Sequence, residues 1–258
     1  MIATRGKGDG AGVLEHVGRG ALLFVAITAA LRHPGVWARP ALAELHRQAF
    51  DSLALVLVLT GLGGALISQQ TGYQFQGNLP SWVVGSVVAA SLITEVTPLF
   101  TGIALVGIVG TRIAAELGAM KVTEQIDALE VMGRDPVSYL VVPRVVASFL
   151  IGPLLVSLAL AGSMLAGWAL ALLTTRADSA DFWFGVRHYM RDFPMFFALI
   201  KGAAFSTAVT FVSCYSGLEA TGGSMGVGRS TRQAVVAMIA SIVILDTALV
   251  PLLKLVRI

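Results

Sequence analysis

Five apolar blocks of about membrane length divide this 258-residue chain and leave little polar sequence between them. A helix that crosses the hydrocarbon core of a bilayer takes about 20 apolar residues. Inside that core every backbone polar group must find its partner within the helix or in a closed barrel. The blocks fall at 53–69, 82–110, 145–173, 193–218 and 234–253, too long for barrel strands of about 10 residues. Charge agrees: 13% of residues are charged and the mean hydropathy is +0.81, whereas soluble domains carry about 25% charge. The chain reads as an all-α integral membrane protein with five transmembrane helices. Its single cysteine, Cys214, lies inside an apolar block, so neither a disulfide framework nor a cysteine metal cluster is expected. The basic residues are scattered and not interleaved with aromatics, which argues against nucleic acid as a partner.

Before the first block the sequence changes character twice. Residues 1–12 are glycine-rich and polar and read as a disordered N-terminus without a signal-peptide pattern. Residues 13–50 mix apolar and basic positions. The apolar run Ala21–Leu31 is stopped by Arg32, His33 and Pro34 and is too short to span. Trp37, Arg39, His46 and Arg47 suit the headgroup level. The segment is read as interfacial helices on the cytoplasmic leaflet. A first transmembrane helix with Arg19 and Arg32 at its ends is the alternative. Residues 51–258 form the membrane domain.

Orientation follows from the Lys and Arg of the flanking segments. Residues 1–50, 111–144 and 219–233 hold twelve; the segments on the other side, the C-terminus included, hold five. The expectation is a cytoplasmic N-terminus and a periplasmic C-terminus. Residues 219–233 read as a glycine-rich loop, and a short outer helix is expected near 182–190.

The longest polar interval, Thr111–Arg144, has a clear internal grammar. Thr123 is placed to cap a short helix, with Glu124 and Asp127 in its first turn. Val122, Ile126, Leu129 and Met132 recur at spacings of three and four, which makes one face apolar. Glu124, Asp127 and Glu130 lie on the other face, with Gln125 beside them. Gly133 suits the left-handed residue that ends a helix, and Asp135-Pro136 suits the start of the next. A short acidic amphipathic helix between two spans fits either a partner-docking element or a helical loop.

Glu116-Leu117-Gly118, the run from Val122 to Gly133, Asp135-Pro136 and Pro143-Arg144 together resemble the signature of the MlaE/YrbE family, the permease subunits of MCE-type lipid ABC transporters. The likeness extends from about Phe50 to the C-terminus, so 51–258 would be an MlaE-type permease domain. The resemblance implies a homodimer in the bacterial inner membrane. It further implies a separate ABC ATPase subunit that binds ATP, a STAS-domain protein, a periplasmic MCE ring, and phospholipid or a related lipid as cargo. It makes residues 124–132 the helix that couples to the ATPase.

Three charges lie within the spans: Glu95, Lys201 and Asp246. Such residues are costly in a bilayer and face protein or water, usually with partners. At 1.5 Å rise per residue, Lys201 and Asp246 lie roughly 12 and 11 Å in from the same side and Glu95 roughly 20 Å along its span. A buried cluster of the three is therefore expected. The family motif around the second-span acid resembles Arg-Glu-Leu-Gly-Pro, whereas this chain has Thr94-Glu95-Val96-Thr97-Pro98. The acid and the proline remain; the arginine and glycine do not. With Thr94 in place of arginine, full ionisation leaves an excess of one negative charge.

Catalytic motifs argue against an enzyme. No phosphate-binding G-x-x-x-x-G-K-[ST] loop occurs, so if transport is ATP-driven the ATPase is another subunit. Gly222-Gly223-Ser224-Met225-Gly226 fits the form of a nucleophile elbow, but it lies between spans rather than between a strand and a helix. The reading is an ATP-driven lipid permease subunit with no cofactor and no metal of its own. A secondary transporter or channel without an ATPase is the alternative.

Overall fold

The computed structural model describes residues 12–74, 80, 82–174, 178–190 and 192–255, and every regular element among them is helical. The disordered stretch expected at the N-terminus lies outside the described residues apart from Gly12. Helix α1 covers Val13–Ala30 and α2 covers Pro34–Gln74. A continuous helical path from Trp82 to Val122 follows. It comprises α3 (Trp82–Ser91), a π-helical turn (Leu92–Val96), α4 (Thr97–Leu105), a second π turn (Val106–Gly110) and α5 (Thr111–Val122). Then come α6 (Gln125–Val131), a third π turn (Val137–Val141), α7 (Val142–Thr174), α8 (Ser179–Tyr189), α9 (Asp192–Leu218) and α10 (Gly223–Leu255). Five of these helical stretches are long and apolar enough to cross a membrane, and α1 is not among them.

Helix boundaries differ from the sequence reading in three places. The boundary expected at residue 50 falls inside α2, whose 41 residues extend about 60 Å, twice the hydrocarbon thickness. Pro40 lies inside this helix, past its first turn, where it leaves the Val36 carbonyl without its helical donor. The second span does not end at Gly110: α5 prolongs it as an amphipathic helix with Ile113, Ala114, Leu117 and Gly118 buried. Residues 223–233, read as loop, are the first three turns of α10. The connection that remains is 219–222, and Gly222 and Gly223 both take positive φ.

Packing ties the spans into one body. At Gly64 of α2 a Cβ would collide with the Ser163 carbonyl of α7, so the two helices touch backbone to backbone there. Near the N-terminal end of α2, a core of Leu23, Ile27, Ile113, Leu117, Leu140, Val141 and Ile151 joins α1, α5 and α7. At the opposite end Phe182 and Val186 of α8 pack on Val84 and Val88 of α3. Asp178 caps α8 by accepting from the Ser179 amide at 2.7 Å. The fifth span contributes Met238 and Ile242 to a third core with Phe205 and Val209. It buries the smallest share of its apolar window, 17%, of the five.

The chain brings α1, the 111–144 segment and the α9–α10 turn to one end. Arg19 of α1 reaches Glu219 at 2.8 Å, and His16 reaches Tyr215. Glu219 first, and Glu15 after it, hold the Arg19 guanidinium above its ordinary value by opposite charge. This end gathers the basic segments that the charge count placed together.

Candidate functional site

At the basic end, α5 stops at Val122 and α6 begins three residues later. Thr123 does not cap α6. Its hydroxyl donates back to the Ala119 carbonyl at 2.8 Å and so finishes α5. The turn between the helices is made by Glu124 at φ 60°, the one non-glycine residue at positive φ among the described residues. The far end of α6 closes as its sequence predicts. Gly133 takes φ 74°, its amide donates to Glu130 and the Arg134 amide donates to Leu129, the two bonds of a Schellman motif. Asp135 then accepts from the Val137 and Ser138 amides and starts the next helix.

The face of α6 that reads as apolar is divided between two uses. Ile126 is 4% exposed and belongs to the protein's own core with Leu117 and Leu140, so it is not available to a partner. Leu129 is half-buried against the same core. The apolar side chains left outside are Val131 and Met132, 88% and 67% exposed. They are accompanied by exposed Glu124, Gln125, Asp127 and Glu130. Asp127 pairs with Lys121 at 2.9 Å. Beside α6 lies a shallow cavity of about 310 Å³ lined by Met120, Gln125, Ala128, Leu129, Met132, Tyr139 and Leu140.

Behind α6, the first three spans meet in a network of six charges that sequence reading did not assemble. Arg112 of α5 lies 2.7 Å from Asp51 and 3.5 Å from Glu44, both on α2. Arg144 of α7 lies 3.3 Å from Glu116 and 3.5 Å from Glu44, and Arg47 lies 2.5 Å from Glu116. Glu44, Arg47 and Asp51 recur at three and four residues, a signal that marks one helix face. Their partners are 61 to 100 residues away in sequence, which no local pattern reveals. Beneath the network the buried Gln48 donates to the Arg144 carbonyl and accepts from Ser148, which also bonds Thr210.

The three intramembrane charges come together. Lys201 of α9 is fully buried. Its ammonium lies 2.7 Å from Glu95 Oε2 and 2.7 Å from Asp246 Oδ1, and 4.9 Å from the centre of the Phe197 ring. The Asp246 contact is one of charge: that oxygen has no aligned hydrogen-bond donor. A further bond, to the Thr94 carbonyl at 2.9 Å, has a cause in the sequence. Pro98 has no N–H, so the carbonyl four residues back, Thr94, loses its helical donor. The same missing donor accompanies the π turn at Leu92–Val96, and Thr97 closes it on Leu92. Pro98 thus opens the acceptor that the lysine uses. Glu95, at 44% side-chain exposure, faces outward from this cluster.

Ser224 stands in the first turn of α10, after a helix and a glycine turn, with no strand before it. The elbow geometry is therefore missing. Among the described residues no group of three His, Cys, Asp or Glu is arranged to hold a metal ion.

The family model for the permease MlaE matches residues 41–252. A "Probable ABC transporter permease protein" of Rickettsia felis is 32% identical over 222 residues, 86% of each chain. One of Synechocystis is 34% identical over 206 residues, 80% of this chain and 78% of the relative. The chloroplastic protein trigalactosyldiacylglycerol 1 of Arabidopsis thaliana is 33% identical over 211 residues, 82% of this chain and 60% of that protein. A five-span helical body, a short capped helix between the second and third spans, and matches of this extent agree: the chain belongs to the MlaE permease family and is a multi-pass membrane permease of the ABC-transporter class.

Proposed function

We propose that this permease is the transmembrane subunit of an ATP-driven transporter that moves phospholipid or a related lipid between the bacterial inner membrane and the outer envelope. ATP is bound and hydrolysed by a separate ABC ATPase, and this chain supplies no catalytic residue. The observation that carries the coupling is the outer surface of α6. Val131 and Met132 are exposed on a helix that lies outside the spans, beside a shallow apolar cavity and among acids. An apolar knob flanked by basic residues on the ATPase would seat there, as recognition concentrated in a few anchors requires. Lipid as cargo is supported by the family and by the chloroplastic relative, whose name contains that of a galactolipid.

The basic end would face the cytoplasm and the C-terminus the periplasm. The chain would act as a homodimer. Two features support this: the sparse burial of the fifth span, and the outward-facing Glu95, which must border protein or water rather than hydrocarbon. A second copy beside α10 would enclose a lipid cavity in front of Glu95, Lys201 and Asp246. A STAS-domain protein and a periplasmic MCE ring complete the assembly that the family resemblance implies, which would maintain outer-membrane lipid asymmetry. Membership of an ABC-permease family removes support for a transporter without an ATPase.

Val131→Asp together with Met132→Asp tests the docking surface. The variant permease, tagged and purified from membranes with its native partners, is expected to lose the ATPase while remaining folded and membrane-inserted. Full retention of the ATPase would exclude α6 as its seat. Ile126→Asp is unsuitable for this purpose because it disrupts the permease's own core.

A further inference from the structure

The segment 117–143 that carries α6 is joined covalently to the second and third spans only. The first span reaches it through side chains alone. The residues bracketing the segment, Glu116 in the last turns of α5 and Arg144 in the first turn of α7, are 3.3 Å apart and close its base. Each is also held by α2: Glu116 by Arg47 at 2.5 Å, and Arg144 by Glu44 at 3.5 Å. Arg112, one turn before Glu116, is held by Asp51 and Glu44. Glu44 therefore stands at 3.5 Å from an arginine of the second span and from an arginine of the third.

The charges cancel across the set, with three arginines and three carboxylates. The inner three, Glu44, Arg112 and Arg144, are only 12 to 15% exposed, so their pairing is poorly screened by salt. Gln48, fully buried one turn from Glu44, ties α2 to the Arg144 carbonyl and to Ser148 as a second, uncharged link. The outer face of α2 meanwhile presents Val58, Leu62 and Leu66 away from the molecule. Its other face packs on α7, with Gly64 against the Ser163 carbonyl, so α2 is held along one side and clamped by charge at its basic end.

We infer that Glu44, Arg47 and Asp51 are positioning residues that clamp the first span to both ends of the α6-bearing segment, so that α2 moves with it during the transport cycle. The inference rests on the proposed coupling through α6 and adds the element that receives the motion. The side chains act through Arg112, Glu116 and Arg144. Loss of the clamp would leave the ATPase docked and hydrolysing while α2 no longer follows.

The test uses the permease with its ATPase in proteoliposomes. It measures ATP hydrolysis, ATP-dependent transfer of a fluorescent phospholipid, and the distance between spin labels at exposed positions 50 and 134. In the wild type the label distance should stay the same with and without ATP. In Glu44→Gln and in Arg47→Gln it should change with nucleotide. Lipid transfer should fall about tenfold, an ordinary coupling effect, with hydrolysis and ATPase retention kept. Arg47→Lys should restore part of the transfer, which distinguishes positioning from simple loss of fold. A wild-type label distance that changes with ATP, or variants with undiminished transfer, would overturn the clamp and leave the α6 docking reading intact. A wild type that transfers no lipid with ATP would overturn the proposed function, and the clamp with it.

Discussion

Two sets of charges hold this permease together, and they differ in what surrounds them. The set within the spans has one cation, Lys201, fully buried between Glu95 and Asp246. The set at the basic end has three arginines and three acids, graded from 12% to 49% side-chain exposure. In the first, the lysine is shut off from its surroundings and depends on its two acids, although Glu95 itself is 44% exposed. In the second, solvent reaches the rim and several partners share each charge. The contrast teaches that the number of ion pairs says little about what each contributes; access to water decides it.

Lys201→Ala should show the largest effect. Removing one side of a buried pair leaves the other uncompensated, at a cost of about 3–5 kcal/mol. Thermal unfolding of the purified permease should show a large loss. Adding Asp246→Asn to Lys201→Ala should recover part of it. A double variant no better than the single would mean that the two groups do not depend on each other.

Pro98→Ala should come next. The new N–H competes with Lys201 for the Thr94 carbonyl, and a charged hydrogen bond lost from a buried site is worth about 1.5–3 kcal/mol. Alanine favours the helix by about 3 kcal/mol over proline. Stability should therefore change little, while the geometry at Lys201 changes and lipid transfer falls. Transfer at the wild-type rate would show that this carbonyl is dispensable to the lysine.

Glu44→Gln should cost about 1–3 kcal/mol, as for a half-buried group whose partners are left facing each other. Its effect should shift little with salt, because Glu44 and the two arginines it meets are only 12 to 15% exposed. Lys121→Ala, which removes the exposed pair with Asp127, should stay below about 1 kcal/mol and vanish at high salt.

How much of this was legible follows the same division. The five spans could be read because bilayer thickness imposes a length on every apolar block. The end of α6 could be read because Gly133 and Asp135 carry their geometry in residue type. Grouping Glu95, Lys201 and Asp246 needed only depth along the spans and the cost of a lone charge. The continuity of α2 through Pro40 was not legible, since an interior proline ordinarily marks a break or a kink. Nor was the start of α10, where packing of Val227 against Gly118 favours helix in a stretch that glycine content marks as loop. Ile126 read as part of a face open to a partner because periodicity marks an apolar face without saying what covers it. The six-charge network was illegible because its contacts join three spans.

ATP-dependent lipid transfer by the reconstituted permease and ATPase tests the central claim most directly. Phospholipid should leave permease-containing vesicles for acceptor vesicles or a purified periplasmic acceptor when ATP is supplied. It should not leave without ATP, nor with Val131→Asp/Met132→Asp in the permease. Equal transfer with and without ATP, or ATP-driven transfer undiminished in that variant, would contradict the account.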